Sequence, residues 1–462
     1  MGQVGFSPSA PLPPLTPDAL HWTYALAPDV TVEAVRGGAY LCTATSRRWI
    51  EGSAGWMEVL PLVATGGRSE NFIVQRMRDV APGDDAQVSC AALLYHLDQL
   101  GLLTRTVCSA GRQLASCVPL RQPPAAPPVR PPKGVLRLSP LAVIRVENAS
   151  VSIETPGAWA KLTVHDRELL PLLCDLGSGR SAAEIAAATT HHSREAIMAF
   201  LVLVSWCGLL DHSENAEWRG HDLLFHARTR RGYARVVLGK TGAGGARATQ
   251  QAHHRRNPRA RRIVLEPPDL ARLLAEDPPH ALVSERRHSS RRHGSEPLTS
   301  AQLSEFLFRT LHERGGRRPY PSAGACYPLK AWLAVHRCRG VAPGLYAYDE
   351  AQHELVLVGD PGSELDLLLA DAAGAANSDT PQILLVLAAR YGQTQPTYAD
   401  LSYSLILKEV GAVFQVATMA AAAMGLSACP LGCGDSLLFS RIAGLNSLTE
   451  TSVGELTLGS LT

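Results

Sequence analysis

A proline-dense run at residues 119–134 (PLRQPPAAPPVRPPKG) most constrains how this chain can fold. Proline has no backbone N–H to donate and favours extended polyproline II, so the run predicts a semi-rigid linker rather than a helix or a sheet strand. A proline motif for a partner domain is the alternative. The run therefore divides the 462-residue chain, whose length suits roughly two to four domains.

A degenerate tandem repeat flanks this linker. Residues 59–69 (VLPLVATGGRS) are echoed by 169–181 (LLPLLCDLGSGRS), and 91–103 (AALLYHLDQLGLL) by 200–210 (FLVLVSWCGLL). Helices followed by a glycine and a leucine-rich strand are the outline of a winged-helix module. The first copy has no Lys or Arg between residues 91 and 100, where a helix that follows nucleic-acid phosphates needs them. We therefore predict two peptide-binding or scaffolding modules that bind no nucleic acid.

The overall charge and the cysteines exclude other classes of function. A net charge of +2 predicts no general attraction to nucleic acid or to an anionic membrane. No apolar run reaches the ~20 residues that span a bilayer, and the N-terminus does not resemble a secretory signal. The cysteines lie mostly in apolar runs, which predicts free thiols and a cytoplasmic protein. Cys429 and Cys433 are close together but lack further ligands, so no metal site is predicted.

From about residue 281 the pattern is that of an α+β domain, in which strands and helices alternate. Residues 297–308 predict a helix with a Ser/Thr cap, and residues 405–424 predict a long apolar helix. Residues 332–336, 383–387 and 454–459 predict strands. The predicted organisation is a flexible arm (1–30), a winged-helix-like module (31–118), the linker (119–134), a second such module (135–215), a connecting segment (216–280) and a C-terminal domain (281–462).

Three segments of the C-terminal domain could hold an anionic, planar ligand. Arg287 and Arg291 are four residues apart, so on a helix they would point the same way and, with Ser289, could bind a phosphate. Residues 321–325 (PSAGA) and 425–434 (GLSACPLGCG) are mostly small and allow a ligand to approach the backbone closely. A solvated basic patch and an ordinary turn are the alternatives for the first two segments.

In this order the segments resemble the nitroreductase superfamily, whose flavin signature Arg-x-Ser-x-Arg is matched by Arg287, Ser289 and Arg291. Residues 321–328 (PSAGACYP), 344–349 (GLYAYD) and 409–415 (EVGAVFQ) further resemble SagB-type thiazole/oxazole dehydrogenases. The repeat that precedes them is similar to the N-terminal modules of cyanobactin oxidases. The resemblance therefore implies a nitroreductase-like fold for the C-terminal domain.

The resemblance also implies a function. Members of this group are FMN-dependent homodimers that oxidise peptide thiazolines and oxazolines to thiazoles and oxazoles, with oxygen as the expected electron acceptor. The implied substrate is an azoline-containing peptide, either made with a cyclodehydratase partner or bound to a carrier protein. The implied FMN contacts are Arg287, Ser289 and Arg291 at the phosphate and ribityl chain, Pro321, Ser322, Ala323 and Gly324 at the ring, and Leu431 and Gly432 closing the phosphate side.

The expected catalytic pair is incomplete. Members of the group often carry a Lys-Tyr pair ahead of the long helix, and here Tyr398 follows Thr397. Threonine is neither a base nor a cation that lowers the pKa of a tyrosine. Tyr398 could act alone or with a cation such as Lys408 or Arg390, the substrate could have a more acidic proton, or the domain could be a weak catalyst. An NAD(P)H-dependent nitroreductase-like enzyme and a flavin-free peptide-binding scaffold are the alternative functions.

Overall fold

The computed structural model describes residues 20–43, 46–147, 149–156, 158–210, 220–229 and 261–462. The chain divides into two compact units, Met1–Val237 and Leu238–Thr462, and each is described by itself. Part of the predicted arm and much of the predicted connecting segment, residues 216–280, lie outside the described residues.

Helices and short antiparallel strands alternate in the N-terminal unit. Its helices are α1 (Ala54–Thr65), α2 (Glu70–Val80), α3 (Ala86–Gln99), α4 (Pro171–Ser178), α5 (Ala182–Ala188), α6 (Arg194–Trp206) and α7 (Gly220–Arg228). Its strands are β1 (His21–Leu26), β2 (Thr31–Val35), β3 (Gly38–Cys42), β4 (Arg47–Glu51), β5 (Arg68–Ser69), β6 (Leu103–Ser109), β7 (Arg112–Pro119), β8 (Val135–Leu136), β9 (Val143–Glu147), β10 (Ser150–Glu154), β11 (Ala160–Val164) and β12 (Arg180–Ser181). The main sheet has the order β5-β1-β6-β7-β11-β10-β9, while β2-β3-β4 form a second sheet and β8 pairs with β12.

The repeat in the sequence is also a repeat in the structure. α1, β5, α2 and α3 follow one another in the same order as α4, β12, α5 and α6. A serine begins the helix after each short strand: Ser69 accepts a hydrogen bond from the Phe72 N–H. In the second copy Ser181 accepts one from the Glu184 N–H, so both caps satisfy a backbone donor at a helix start. The helices of each copy pack in their own core. The winged-helix assignment itself stays a prediction.

The proline run does not divide the two copies into separate sheets. β7 ends at Pro119, which lies opposite Ala160 of β11, and the two strands pair over their length. Residues 120–134 contain no helix or strand, as expected of a linker. The Ala125 carbonyl nevertheless accepts a hydrogen bond from the Trp206 indole N–H (3.1 Å). One sheet therefore includes strands from both predicted modules, and the domain boundaries there stay predictions.

The sequence predicts a flexible arm over residues 1–30, and this prediction is wrong for the last third of that range. His21–Leu26 is strand β1, and it pairs with β6 from His21 opposite Cys108 to Leu26 opposite Leu103. Tyr24 and Leu26 are buried in the core of the first copy. The alternation of these two apolar side chains is a strand signal that the alanines and prolines around it conceal.

The C-terminal unit is built on one antiparallel sheet. Its helices are α8 (Leu270–Glu276), α9 (His280–Arg286), α10 (Ser300–Thr310), α11 (Ser363–Ala376), α12 (Tyr391–Tyr398), α13 (Ser402–Ala423) and α14 (Ser436–Ile442). Its strands are β13 (Arg262–Val264), β14 (Leu329–Val335), β15 (Gly344–Asp349), β16 (Glu354–Gly359), β17 (Ile383–Arg390), β18 (Leu426–Pro430) and β19 (Glu450–Ser460), in the order β13-β16-β15-β14-β17-β19-β18.

The two faces of this sheet are covered by different helices. Along β14, Leu333 and Val335 belong to the core that includes α10 and α13. Trp332 and Ala334 belong to the core that includes α11 and α14. Because successive side chains of a strand point to opposite faces, one apolar strand contributes to both cores. The predicted α+β architecture of this domain is confirmed.

The long helix α13 is the central helix that the sequence predicts. By length and composition the stretch Tyr391–Ala423 could cross a membrane, and 44% of its most apolar window is buried. Its residues Val413, Ala417 and Ala421 lie in the same core as Leu333. Packing against the sheet therefore accounts for the apolar character of the helix.

Candidate functional site

The segment 318–328, which leads from α10 towards β14, is held by the arginine at its start. The Arg318 side chain is 7% exposed. Its guanidinium donates hydrogen bonds to the Leu329 carbonyl (2.8 Å) and to the Tyr320 hydroxyl (3.1 Å). Its backbone N–H donates to the hydroxyl of Tyr327 (3.3 Å). One buried side chain thus links the two ends of the segment.

A buried carboxylate, Glu350, compensates the charge of Arg318. It is 2% exposed, and its oxygens accept hydrogen bonds from the Ala331 N–H (3.2 Å) and from the Lys330 ammonium. The Arg318 guanidinium lies 3.8 Å from the same carboxylate. Burial raises the pKa of Glu350, but Lys330 and Arg318 outweigh burial and hold that pKa below its ordinary value. The segment therefore rests on a buried ionic network.

The middle of this segment is a turn with an unfavourable backbone. Gly324, Ala325 and Tyr327 have φ values of 58°, 54° and 45°. For alanine and tyrosine this left-handed region costs on the order of 1 kcal/mol each. The Ser322 hydroxyl supports the turn by accepting a hydrogen bond from the Tyr327 N–H (2.9 Å). Backbone strain of this kind concentrates at ligand-binding sites, where the surroundings enforce it.

Tyr398, at the end of α12, lies against this turn. A Cβ atom on Gly324 would stand 2.5 Å from the Tyr398 hydroxyl, so only glycine permits the observed approach. Burial raises the pKa of Tyr398, and the neighbouring thiol of Cys326 raises it further. Tyr398 therefore keeps its proton at neutral pH and suits a hydrogen-bond donor better than an unaided base.

Glu409 on α13 approaches the same turn. The residue is 4% exposed. Burial raises the pKa of its carboxyl to about 7, although a hydrogen bond with Ser322 and the charge of Arg318 act in the opposite direction. The Ser322 oxygen already accepts the Tyr327 N–H, so the serine proton is available to the carboxylate. Within the described residues the Glu409 Oε1 atom has no hydrogen-bond partner. Glu409 is thus a buried group that exchanges its proton near neutral pH.

The arginine-serine-arginine segment, residues 287–291, is not helical, so the expectation of a helix was wrong. α9 ends at Arg286, and Arg287 has extended backbone angles (φ −63°, ψ 119°). The Ser290 N–H donates to the Ala428 carbonyl (3.0 Å), which attaches the segment to β18. Arg287 is partly buried, whereas Ser289 and Arg291 are exposed. The bond from Ser290 to β18 takes the place of a helical hydrogen bond at that residue.

This attachment brings the first and third predicted segments together. The Arg291 side chain hydrogen-bonds the thiol of Cys429, and the charge of Arg291 partly offsets the burial that raises the pKa of Cys429. Leu431 is buried in the core with α11 and α14. Gly432 is exposed, and a Cβ there would meet no atom within 4 Å. Gly432 therefore faces open space, whereas the Leu431 side chain packs in the interior.

Lys408 and Arg390, the two cations that the sequence suggests as helpers of Tyr398, do not act on it in the structure. Arg390 forms a half-buried ion pair with Glu450 (2.8 Å), so its charge is already compensated. Lys408 is exposed on α13. Among the described residues that shift the pKa of Tyr398, neither cation is present. Within the part of the chain that the structure describes, no lysine or arginine shifts the pKa of Tyr398 as a lysine at position 397 would.

Sequence reasoning did not assign a role to Glu409, Arg318 or Glu350. Glu409 was part of a motif, and its signal was a lone carboxylate in the apolar helix α13. Such a residue is costly to bury unless it is paired or protonated. Arg318 and Glu350 are separated in sequence, and nothing in their local patterns indicates that they meet.

The raised pKa of Glu409 makes the stability of the protein depend on pH. In the unfolded chain this carboxyl has its ordinary pKa of 4.5, and in the folded chain about 7. The stabilising contribution is fully present below pH 4.5 and is lost as the pH rises through about 7. The difference corresponds to roughly 3 kcal/mol. In Glu409→Gln the side chain at this position cannot ionise. We therefore expect the free energy of unfolding of this variant not to show that fall with rising pH.

Thermal unfolding of the full chain from about pH 4.5 to about pH 8 measures this effect. The free energy of unfolding of Glu409→Gln relative to the parent should rise across that range. Glu285→Gln removes an exposed carboxylate of the same unit and serves as the control. Parallel pH profiles for the parent and Glu409→Gln would contradict the assignment.

Comparison with known proteins gives matches in both units. Residues 285–460 match the nitroreductase family, and residues 136–235 match the cyanobactin oxidase ThcOx family. A protein of Methanocaldococcus jannaschii described as a nitroreductase is 32% identical over 172 residues, which are 37% of this chain and 84% of that protein. The matched range 285–460 contains every residue that the sequence assigns to FMN and both predicted catalytic residues.

Solved structures also resemble this chain. A protein of Ralstonia eutropha described as a nitroreductase has a TM-score of 0.37 at 24% identity, over 44% of this chain and 90% of its own. One of Anabaena variabilis has a TM-score of 0.41 at 17% identity, over 55% of this chain and 50% of its own. The E. coli microcin synthetase McbBCD, solved with truncated pro-MccB17 bound, has a TM-score of 0.34 at 20% identity, over 39% of this chain and 72% of that chain.

Proposed function

Because this chain belongs to the nitroreductase family and its C-terminal unit is that of an oxidoreductase, we propose that it is an FMN-dependent dehydrogenase of the SagB type. The proposed reaction is the oxidation of thiazoline or oxazoline rings in a peptide to thiazoles or oxazoles. The match of residues 136–235 to a cyanobactin oxidase family supports a peptide substrate over a small nitroaromatic one.

The residues present fit FMN. Two guanidiniums and a hydroxyl lie within the non-helical residues 287–291, and charge-assisted bonds from such donors suit a phosphate. The turn 321–325 carries only small side chains apart from its proline, with the Tyr398 hydroxyl packed against Gly324, so a flat ring beside Tyr398 could approach its backbone closely. The proposed contacts are Arg287, Ser289 and Arg291 for the phosphate and ribityl chain, Pro321, Ser322, Ala323 and Gly324 for the ring, and the Leu431–Gly432 backbone beyond the phosphate.

Converting an azoline to an azole removes a proton and a hydride from adjacent carbons. FMN, when bound, supplies the acceptor for the hydride. The proton needs a base whose pKa lies near the working pH. Glu409, with its pKa of about 7, meets this requirement, whereas the raised pKa of Tyr398 suits a neutral donor that orients the ring. We therefore assign the proton to Glu409 and the positioning of substrate to Tyr398.

One observation carries the proposal: Tyr398 and Glu409 both approach the strained turn 322–327, Tyr398 at Gly324 and Glu409 at Ser322. A hydrogen-bond donor and a proton acceptor thus flank one stretch of small residues. A general base and a donor around an open backbone surface are what an azoline ring requires.

The wider setting follows from the same proposal. The N-terminal unit would hold the peptide substrate, and a cyclodehydratase that makes azolines would act before this enzyme. A homodimer is proposed by family resemblance. All ten cysteines are free, which supports a cytoplasmic setting.

Mass spectrometry of azoline peptides incubated with the purified protein tests the proposal. We expect each oxidised ring to lose the mass of two hydrogen atoms. Lys408→Gln, next to Glu409 but exposed, should behave like the parent and serves as the control. A yellow protein that leaves thiazoline and oxazoline peptides unchanged would exclude the reaction.

A second candidate is an NAD(P)H-dependent nitroreductase, which the description of the M. jannaschii relative favours. Anaerobic addition of NADPH distinguishes the two functions. Prompt bleaching of the flavin by NADPH, with none by an azoline peptide, would support the nitroreductase. The opposite result would support the dehydrogenase.

We expect Arg287→Ala to weaken FMN binding strongly. A hydrogen bond to a charged group contributes about 1.5–3 kcal/mol, which is roughly 10- to 150-fold in affinity. Flavin absorbance per protein after dialysis, followed by titration of the stripped protein with FMN, measures the loss. Arg292→Ala is the matched control, because Arg292 is a neighbouring exposed arginine outside the Arg-x-Ser-x-Arg signature. Equal losses in the two variants would mean that only the total charge matters.

A further inference from the structure

In the N-terminal unit, far along the chain from the residues discussed above, three side chains of metal-ligating type converge. Asp166 and Glu168 lie just before α4, and His192 lies just before α6. One ligand atom of each is within 4.8 Å of the others. Histidine nitrogen and carboxylate oxygen are both ordinary zinc ligands.

Two of the three side chains are buried with an atom that has no hydrogen-bond partner. The side chains of His192 and Asp166 are 4% and 6% exposed. Within the residues that the structure describes, His192 Nε2 and Asp166 Oδ2 accept and donate no hydrogen bond. Burying a polar atom without a partner is costly, so each such atom calls for an explanation. Both atoms are those that face the cluster.

The separations of these atoms suit a four-coordinate ion. His192 Nε2 lies 3.7 Å from Asp166 Oδ2 and 3.6 Å from Glu168 Oε2. Two ligands of a tetrahedral zinc, with bonds of 2.0–2.2 Å, are roughly 3.3–3.6 Å apart. Cis ligands of an octahedral ion with similar bonds would be nearer, at roughly 3 Å. The two distances from His192 Nε2 are therefore too long for hydrogen bonds and close to the distance between two ligands of a tetrahedral zinc.

The backbone holds the aspartate in place. Asp166 Oδ1 accepts a hydrogen bond from the Glu168 N–H (3.1 Å), which caps the turn that follows. This bond uses one carboxylate oxygen and leaves Oδ2 directed to His192. Glu168 is 41% exposed, so the third side of the cluster is open to solvent and to a water ligand. Three protein ligands with the fourth position left to water are a known arrangement of zinc sites.

One cation already lies near the cluster. The Arg112 guanidinium is 3.5 Å from Asp166 Oδ2 and 3.7 Å from Glu168 Oε2. Its side chain is 55% exposed and starts beside the glycine of a turn, so it can move into solvent. Arg112 and a divalent ion would therefore compete for the same two oxygens.

We propose that Asp166, Glu168 and His192 form a binding site for a divalent transition-metal ion, with zinc as the ion of matching geometry. The bound ion would link the start of α4 to the start of α6 within the second repeat copy. Arg112, from the hairpin of the first copy, opposes binding. This site is independent of the flavin chemistry proposed for the C-terminal unit.

Equilibrium dialysis of the full chain with Zn²⁺, with Co²⁺ as the spectroscopic probe, tests this site. Asp166→Asn, which keeps the cap, and His192→Gln should each weaken binding at least about tenfold. Arg112→Gln should tighten it, because the competing charge is gone. Glu195→Gln, an exposed carboxylate nearby, should change nothing. Zinc should also raise the melting temperature of the parent but not of His192→Gln.

The opposite directions expected for Arg112→Gln and Asp166→Asn separate a metal site from general charge effects. Intense visible absorption without a sulfur band is expected for Co²⁺ in a tetrahedral nitrogen and oxygen site, and it should disappear in His192→Gln. Equal zinc affinity in the parent, Asp166→Asn and His192→Gln would overturn the proposal. So would a cobalt spectrum dominated by thiolate ligands, because it would assign the ion to the cysteines.

Discussion

Glu350→Ala should destabilise the C-terminal unit by about 3–5 kcal/mol, because it removes the buried carboxylate that compensates the charges of the buried Arg318 and the partly buried Lys330. Arg318 is 7% exposed and Lys330 20% exposed in the native structure. Arg318 starts the segment 318–328 and is the more deeply buried of the two. We therefore expect the loss of Glu350 to open this segment as well as to weaken the core.

Hydrogen exchange of the β14 and β17 amides measures this loss within the C-terminal unit alone. Glu354→Ala is the matched control: Glu354 forms an ion pair with Arg262 (2.9 Å), and these two side chains are 21% and 30% exposed, whereas Glu350 is 2% exposed. A pair of that kind contributes about 0–1 kcal/mol. Similar effects of the two substitutions would show that the buried network does not hold the segment.

The same network explains why the proposed flavin site could not be derived from local patterns. Glu350 follows β15, Arg318 follows α10, and Glu409 lies in α13, so three distant parts of the chain meet at one segment. Sequence periodicity predicts which face of a helix or strand is apolar. It does not predict which elements form ion pairs with each other. The buried carboxylates were therefore missed although each was visible in the sequence.

Elements with strong local patterns were predicted well. Thr299 caps α10 and forms a capping box with Gln302, as the Ser/Thr start at residues 297–300 indicates. α13 and β17 follow from long apolar runs of the right length. Residues 287–291 were misassigned because a spacing of four suits a helix, while the hydrogen bond from Ser290 to the distant strand β18 is not visible in the local sequence.

The N-terminal unit illustrates a similar limit. The proline run correctly predicts residues 120–134 without a helix or strand, yet the strands on its two sides pair directly. A linker in sequence thus coexists with a continuous sheet in space, because β7 and β11 satisfy each other's backbone donors and acceptors. The two repeat copies share a sheet while their helices keep separate cores.

The largest effect on activity is expected from Glu409→Gln, which should lower the rate of azoline oxidation by about 10²–10⁴-fold. The parent enzyme should gain activity as the pH rises through about 7, because the ionised carboxylate is the base. The variant should lose this dependence and keep its FMN. Because Glu409→Gln is expected to be at least as stable as the parent at alkaline pH, unfolding would not explain the loss.

Tyr398→Phe separates the roles of the two groups. It should retain FMN and lose turnover, since the hydroxyl that lies against Gly324 is gone, but its remaining activity should still rise through pH about 7. Rates with an azoline peptide, measured across pH for both variants and for Lys408→Gln, test this assignment. If the rise disappears in Tyr398→Phe and survives in Glu409→Gln, then Tyr398 is the base and Glu409 only supports the turn through Ser322.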